Sequence, residues 1–467
     1  MLSATVCTAP PRPRRGFPAG CRSRLPDGFL FAPNRIIVAL TPAVRRGTLI
    51  AEVNGFNKIP ALYRNREPMK TILNAPLSPT IAHRYLAHSP LAPIYDKVME
   101  GKRLSFADGL ALWESHDLNG IGALANLVRE TKNGNNTYYV RNQHINYTNV
   151  CNKGCKFCSF YAQKDGPAPF TMSMDDVRER LERTRHMPVT EIHMVAGIHP
   201  KLPYSYYLEL LDTVKAARPE AHIKAFTMVE LLQIQKLAKK PMADVLLELK
   251  AHGLCSLPGG GAEILTDRVH DAIFERKETA REWLDTAKTA HRVGLHTNAT
   301  MLYGHIETVE ERVIHMMKLR EAQDETGGFL TFIPLAFSSK GTKLSHIPPT
   351  TGVLDLKAIA IGRLMLDNFP HIKAFWMMIT PPVAQAAQWY GADDIDGTIV
   401  EYTITHEISD ENTAQNLSQP QLVQMITEAG RDPVERDPLY NVIERDDSRV
   451  LLDAPAHRRP VALPMAV

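Results

Sequence analysis

Cysteine is scarce in this chain: six in 467 residues. Cys7 and Cys21 lie near the N-terminus, Cys255 stands alone, and the other three fall between positions 151 and 158. Such spacing excludes a disulfide framework and points to a metal or cluster site in a reducing compartment, so the cytoplasm is the expected location. Long apolar runs are missing too. No window offers about 18 consecutive apolar residues, which excludes a transmembrane helix and any membrane partner that would need one. Net charge is low, at +3. Residues 1–68 hold eleven Arg or Lys against three Asp or Glu, a net of +8, which leaves −5 for residues 69–467. The larger part therefore lacks the basic footprint of a nucleic-acid-binding protein. No Gly-x-Gly-x-x-Gly fingerprint follows the first strand-like run, which counts against an open dinucleotide-binding sheet.

What is present is enough apolar sequence, 44% of residues, for a large core. Four segments are expected. Residues 1–68 form a basic, Pro- and Arg-rich extension, expected to be disordered or outside the working protein; Met69-Lys70 reads as a natural beginning. Residues 69–135 form a helical lead-in. Within it Ser105 and Asp108 have capping-box spacing, and Phe106, Leu110 and Trp113 recur at helical spacing. Residues 136–445 alternate between strand and helix patterns. Strand-like runs cover 140–148, 189–195, 222–226, 293–302 and 330–335. Helical stretches cover 174–186, 204–218, 227–239, 277–291 and 308–325. This alternation implies parallel strands with crossover helices, an α/β, TIM-like (β/α) barrel, whole or partial, with its site on the loops at the C-terminal strand ends. Residues 446–467 read as a disordered tail.

The loop after the first of these runs reads Asn149-Val-Cys-Asn-Lys-Gly-Cys-Lys-Phe-Cys158. Three thiolates in Cys-x3-Cys-x2-Cys spacing, Cys151, Cys155 and Cys158, suit three irons of a [4Fe–4S] cubane and leave the fourth iron open. Gly154 lets the backbone curl around the cluster, and Phe157 shields it. A structural zinc site is the rival reading. Zinc takes four ligands, no fourth cysteine is near, and His144 sits seven residues upstream in a strand-like run.

Further motifs close other strands. Ala196-Gly197 with His199 form a small-residue turn that either approaches a ligand or merely links strand to helix. Thr227 either caps the next helix or faces a ligand. Ser256-Leu-Pro-Gly-Gly-Gly-Ala-Glu263 offers backbone N–H groups at Gly259, Gly260 and Gly261 and a carboxylate at Glu263. Asn298–Glu307 ends in a glycine turn, with Tyr303 before it and His305 after it; His305 is either a site residue or a neighbour of a helix start.

Taken together, the cysteine loop resembles the signature of the radical S-adenosylmethionine (SAM) superfamily. With Thr326-Gly-Gly328, Phe332–Leu335, Arg363–His371, Gly391–Gly397 and Ala429–Asn441, residues 70–445 resemble the aminodeoxyfutalosine synthases of the futalosine menaquinone pathway. That resemblance implies a [4Fe–4S] cluster, SAM consumed as co-substrate, and a reductant such as flavodoxin or ferredoxin. It implies addition of a 5′-deoxyadenosyl radical to 3-[(1-carboxyvinyl)oxy]benzoate, giving 6-amino-6-deoxyfutalosine, methionine and bicarbonate. By position it implies SAM contacts at Ala196, Gly197, Thr227, Gly259, Gly260, Gly261 and Tyr303, and reaction roles for His199, Glu263 and His305. The superfamily often has Gly-Gly-Glu where this chain has Ala196-Gly197 and no Glu. His199, Lys201, His305 and His406 are candidate partners for the substrate carboxylates, and Phe226, Met228, Met301 and Phe332 for an apolar enclosure. Two alternatives stand: a sister radical SAM enzyme (cyclic dehypoxanthine futalosine synthase or a deazaflavin-pathway enzyme), and a structural iron–sulfur or zinc module.

Overall fold

A computed structural model describes residues 84–164, 166–274, 278–404 and 416–445. The expected N-terminal extension, the C-terminal tail and His406 lie outside the described residues. Three helices lead in: α1 (Ala92–Met99), α2 (Phe106–Glu114) and α3 (Leu118–Asn133). The capping box at α2 is formed: Ser105 accepts from the Asp108 amide while the Asp108 carboxylate accepts from the Ser105 amide. Trp113 is buried, with Phe106 and Leu110 packed partly buried against the core.

Seven parallel strands then form one sheet in sequence order: β2 (Asn142–Ile145), β3 (Glu191–Met194), β4 (His222–Ala225), β5 (Leu254–Leu257), β6 (His296–Tyr303), β7 (Phe329–Ala336) and β8 (His371–Ile372). Helices cross between them: α4 (Met174–Arg183), α5 (Tyr204–Ala217), α6 (Met228–Ala238), α7 (Met242–Ala251), α8 (Asp267–Ile273), α9 (Ala280–Arg292), α10 (Val309–Thr326) and α11 (Gly352–Met365). Capping boxes start four of these, at Ser173–Asp176, Thr227–Glu230, Thr279–Glu282 and Thr308–Glu311. Each satisfies two amides that a helix start leaves without partners, so the chain turns from strand to helix at a defined residue.

The sheet closes. Residues 394–400 pair with β8 through Lys373 and Asp394 and with β2 through Gln143 and Val400. Ala374 N–H donates to the Asp394 carbonyl at 2.8 Å, and His144 N–H to the Val400 carbonyl at 2.8 Å. The Asn142 side chain clasps this stave: its oxygen accepts from the Ile399 amide at 2.7 Å and its nitrogen donates to Asp396 at 3.2 Å. The expected barrel is therefore seven strands joined edge to edge through residues 394–400, a short strand and the turn after it, held to the sheet by isolated bridges.

The structure departs from the sequence reading in several places. The run 140–148 is not one strand: β1 (Asn136–Val140) pairs with β9 (Asp394–Gly397) and β10 (Asp432–Glu435) in a separate sheet, and the chain breaks direction at Arg141, which is buried against Glu435 at 3.0 Å. Strands β5 and β8 and helices α7, α8 and α11 were not foreseen; β5 sets the exposed Cys255 among buried neighbours, which interrupts its apolar run.

Candidate active site

The three cysteines sit just beyond the C-terminal end of β2, on a loop fixed by its backbone. Asn152 N–H donates to the Ile198 carbonyl at 3.1 Å, Lys156 N–H to Ile273 at 2.8 Å, and Ala162 N–H to Asn149 at 2.9 Å. Gly154 turns the loop at φ 61°, a left-handed conformation that costs glycine little. Lys153 is buried within the loop and paired with Glu278 at 2.6 Å. Gly197 backs the loop so closely that a Cβ there would meet the Val150 carbonyl at 2.6 Å. Phe157 packs edge-on against Phe274, with 5.6 Å between centroids.

These residues fit a cubane. All three thiols are half-buried and free of disulfides. Burial pushes the Cys158 thiol above its ordinary value, against the opposing amides of Tyr161 and Phe160; iron takes the thiolate, so loading would release that proton. Among the described residues no three His, Cys, Asp or Glu side chains converge on one ion. Thiolates that each serve a different iron have no need to converge.

From Cys158 an open space leads into the barrel. Its mouth, about 250 Å³, is lined by Phe157, Cys158, Ser159, Glu263 and Lys340 among others. Its inner part, about 150 Å³, reaches His144, His193, Thr227, Gly259, Asn298, Thr300, Lys373, Phe375 and Asp396. Val195, Gly260, Leu335, Met378, Tyr402 and Ile404 line both parts, so they are one cavity.

The residues singled out from sequence fall into two sets. Thr227, Gly259, Gly260 and Glu263 line the cavity. Thr227 also caps α6, so the capping role is formed and the residue borders the cavity as well. The glycine loop is pinned, with the Gly259 carbonyl accepting from Thr300 at 2.8 Å and that of Gly260 from Trp283 at 3.2 Å. Glu263 has left-handed backbone, φ 44°, as does Phe226 at φ 64°; such strain in ordinary residues gathers at functional sites. The Ala196 amide donates to Glu230 at 3.2 Å.

Other candidates are used elsewhere. The His199 ring accepts from the amides of Lys201 and Leu202, closing its own turn, and Lys201 is exposed. His305 is buried, its ring donating to the Leu302 carbonyl at 3.0 Å and accepting from the Ile306 amide at 2.7 Å; burial pulls its pKa below the usual value. Tyr303 donates to Asp355 at 2.8 Å inside the core. Phe226, Met228, Met301 and Phe332 are core residues and do not appear in the lining of either part of the cavity. The apolar enclosure comes instead from Val195, Pro258, Ile333, Leu335, Phe375 and Met378.

Sequence reasoning missed the polar inner end. His144 and His193 are register partners on β2 and β3, stacked at 4.7 Å. Burial holds His144 down to about 3, so it is neutral. His193 contacts Glu191 at 3.0 Å, and the other Glu191 oxygen accepts from Lys224 at 2.8 Å. Burial alone would raise Glu191, but Lys224 and His193 hold it well below its usual value. Lys373 donates to Asp396 at 3.1 Å.

A barrel with three thiols at the end of its first strand, opening on a shielded interior, defines a class: an enzyme that works at a cubane with one open iron. Comparison with known proteins agrees. The model of the radical SAM superfamily matches residues 145–319, and that of the CofH/MqnC C-terminal region matches residues 326–448. The chain is 46% identical to the aminodeoxyfutalosine synthase of Thermus thermophilus, over 76% of this chain and 96% of that protein. It is 41% identical to that of Streptomyces coelicolor, over 74% and 92%. A sister enzyme, the cyclic dehypoxanthine futalosine synthase of Halalkalibacterium halodurans, is 33% identical over 75% and 94%. In fold the chain is similar to methylornithine synthase (PylB), with a TM-score of 0.59, 16% identity and coverage of 76% and 99%. The chain belongs to the aminodeoxyfutalosine synthase family of radical SAM enzymes. Its cofactors are a [4Fe–4S] cluster, with Cys151, Cys155 and Cys158 at the motif positions, and SAM.

Proposed function

We propose that this enzyme converts SAM and 3-[(1-carboxyvinyl)oxy]benzoate to 6-amino-6-deoxyfutalosine, methionine and bicarbonate, with an external one-electron donor such as flavodoxin or ferredoxin. The observation that carries the reading is the single cavity joining Cys158 to an apolar belt with a polar inner end, in a chain 46% identical to a synthase of that name. A bound [4Fe–4S] cluster supplies the electron that splits SAM into methionine and a 5′-deoxyadenosyl radical.

The protein's own work is holding and excluding. Cys151, Cys155 and Cys158 hold the cluster, on a loop that Lys153 and Gly197 keep in place. Glu230 ties together the turns that face it, accepting from the Ala196 amide, from the Thr227 amide at 2.7 Å and from the Tyr147 hydroxyl at 2.7 Å. Ala196, Gly197, Thr227, Gly259 and Gly260 form the rim at which SAM is placed. Glu263, beside Cys158, supplies the carboxylate that the Ala196-Gly197 turn lacks. His199, His305 and Gly261 act through the shape of the turns they belong to, and Tyr303 by anchoring the end of β6 on Asp355. The belt of Val195, Ile333, Leu335, Phe375 and Met378 keeps water and loose hydrogen donors from the radical.

The acceptor's vinyl carbon gains the adenosyl carbon, the aryl group moves from oxygen to carbon, and the adjoining carboxylate leaves by C–C cleavage, giving back the electron that was used to split SAM. One water completes bicarbonate, so the overall conversion is redox-neutral and the external donor only primes it. Full-length enzyme, reconstituted anaerobically and supplied with a reductant, SAM and the ether, should yield an adduct carrying both adenine and the benzoate ring. Mass analysis showing SAM cleaved while the ether stays unconsumed would move the assignment to a hydrogen-abstracting sister.

A further inference from the structure

The inner end of the cavity carries more polar machinery than an apolar enclosure needs. Lys373 Nζ has three N–H donors and, among the described residues, one partner, Asp396. His193 is held at Nδ1 by Glu191, itself anchored on Lys224, while Nε2 has no partner among the described residues. Both line the cavity, and the His193 side chain is one-fifth exposed into it. The ionised side chains balance in pairs: Lys224, Lys373 and Arg436 against Glu191, Asp396 and Asp394. Neutral His144 adds none. A ligand carboxylate brought here finds the two unused donors of Lys373. The His193 ring, fixed at Nδ1 by Glu191, presents Nε2 to the same carboxylate.

We propose, on the acceptor assignment above, that Lys373 and His193 bind the ring carboxylate of the benzoate acceptor. The orientation follows from the cavity. The vinyl carbon has to face the cysteine end, where the adenosyl carbon becomes reactive, so the ring carboxylate is the group that extends inward. The aromatic ring then lies in the belt of Ile333, Leu335, Phe375 and Met378. Neither residue belongs to the cysteine loop or the SAM rim.

The test compares two acceptors on reconstituted full-length enzyme: the benzoate ether and the phenyl ether that lacks the ring carboxylate. Wild type should favour the former in kcat/KM by a factor on the order of 10 to 100, the range expected for hydrogen bonds to a charged group. In Lys373→Met with full iron content that preference should collapse toward one, through a higher KM for the benzoate ether, and Lys373→Arg should restore much of it. His193→Gln should lower the preference too, and it carries the comparison if Lys373→Met loses iron. Variants that slow both ethers in equal proportion would overturn the proposal, because a residue that only supports the fold cannot sense the ring carboxylate. A wild type that converts neither ether would instead overturn the acceptor assignment itself, and this proposal with it.

Discussion

Glu230 shows how much one buried carboxyl can organise. Three donors from three segments converge on it: the Tyr147 hydroxyl, the Thr227 amide and the Ala196 amide. Burial nevertheless dominates and raises its pKa to about 7, the hydrogen bonds pulling the other way. The unfolded chain has this group near 4.5. Between those values the folded state keeps a proton that the unfolded state releases, so the contribution is fully present below about pH 4.5 and is lost as pH rises to about 7. Against a Glu230→Gln variant, which does not titrate, wild-type stability should fall over that window by up to about 3 kcal/mol. Denaturant melts of both proteins across pH check this, and a constant difference would refute it. The cysteine trio was legible because its spacing is local. Thr227 was legible as a helix cap, but Glu230 and its partners at 147 and 196 meet only through elements that the fold brings near. The His144–His193 stack was hidden for the same reason, since strand register is not written in either strand alone.

Among the elements, the closing stave most needs its side-chain support. Residues 394–400 include left-handed backbone at Asp396, φ 66°, and Ile399, φ 51°, which breaks the alternation that reveals a strand. Hence the sequence pattern showed a barrel without showing what closed it. Most crossover helices were readable because helix-period patterns alternate with the strand-like runs. The stave instead depends on Asn142, whose side chain serves Ile399 and Asp396 while its backbone N–H donates to Thr398 at 3.0 Å. Asn142→Ala leaves a buried amide and a buried carboxylate oxygen short of partners. It should cost about 2–3 kcal/mol and speed proteolysis within 394–404. Unchanged stability and an unchanged cleavage pattern would show that the stave is held by its backbone bonds alone.

At the scale of the molecule, the barrel sets a cysteine loop at one end of a cavity and a cation–carboxylate cluster at the other, with apolar walls between. The parallel strand–helix alternation and the cluster loop could be anticipated from periodicity and spacing. The inner cluster could not, because Glu191, His193, Lys224, Lys373 and Asp396 come from widely separated stretches and meet only when the ring closes. The helices of the described residues include none long and apolar enough to cross a membrane. The central claim is that SAM is spent as an adenosyl donor and not as a source of a hydrogen-abstracting radical. Turnover with SAM labelled in the adenosyl carbons decides it most directly. The label should appear in an adduct that also carries the benzoate ring, with one methionine and one bicarbonate formed per adduct. Label recovered only in free 5′-deoxyadenosine, with the benzoate ether intact, would contradict the claim.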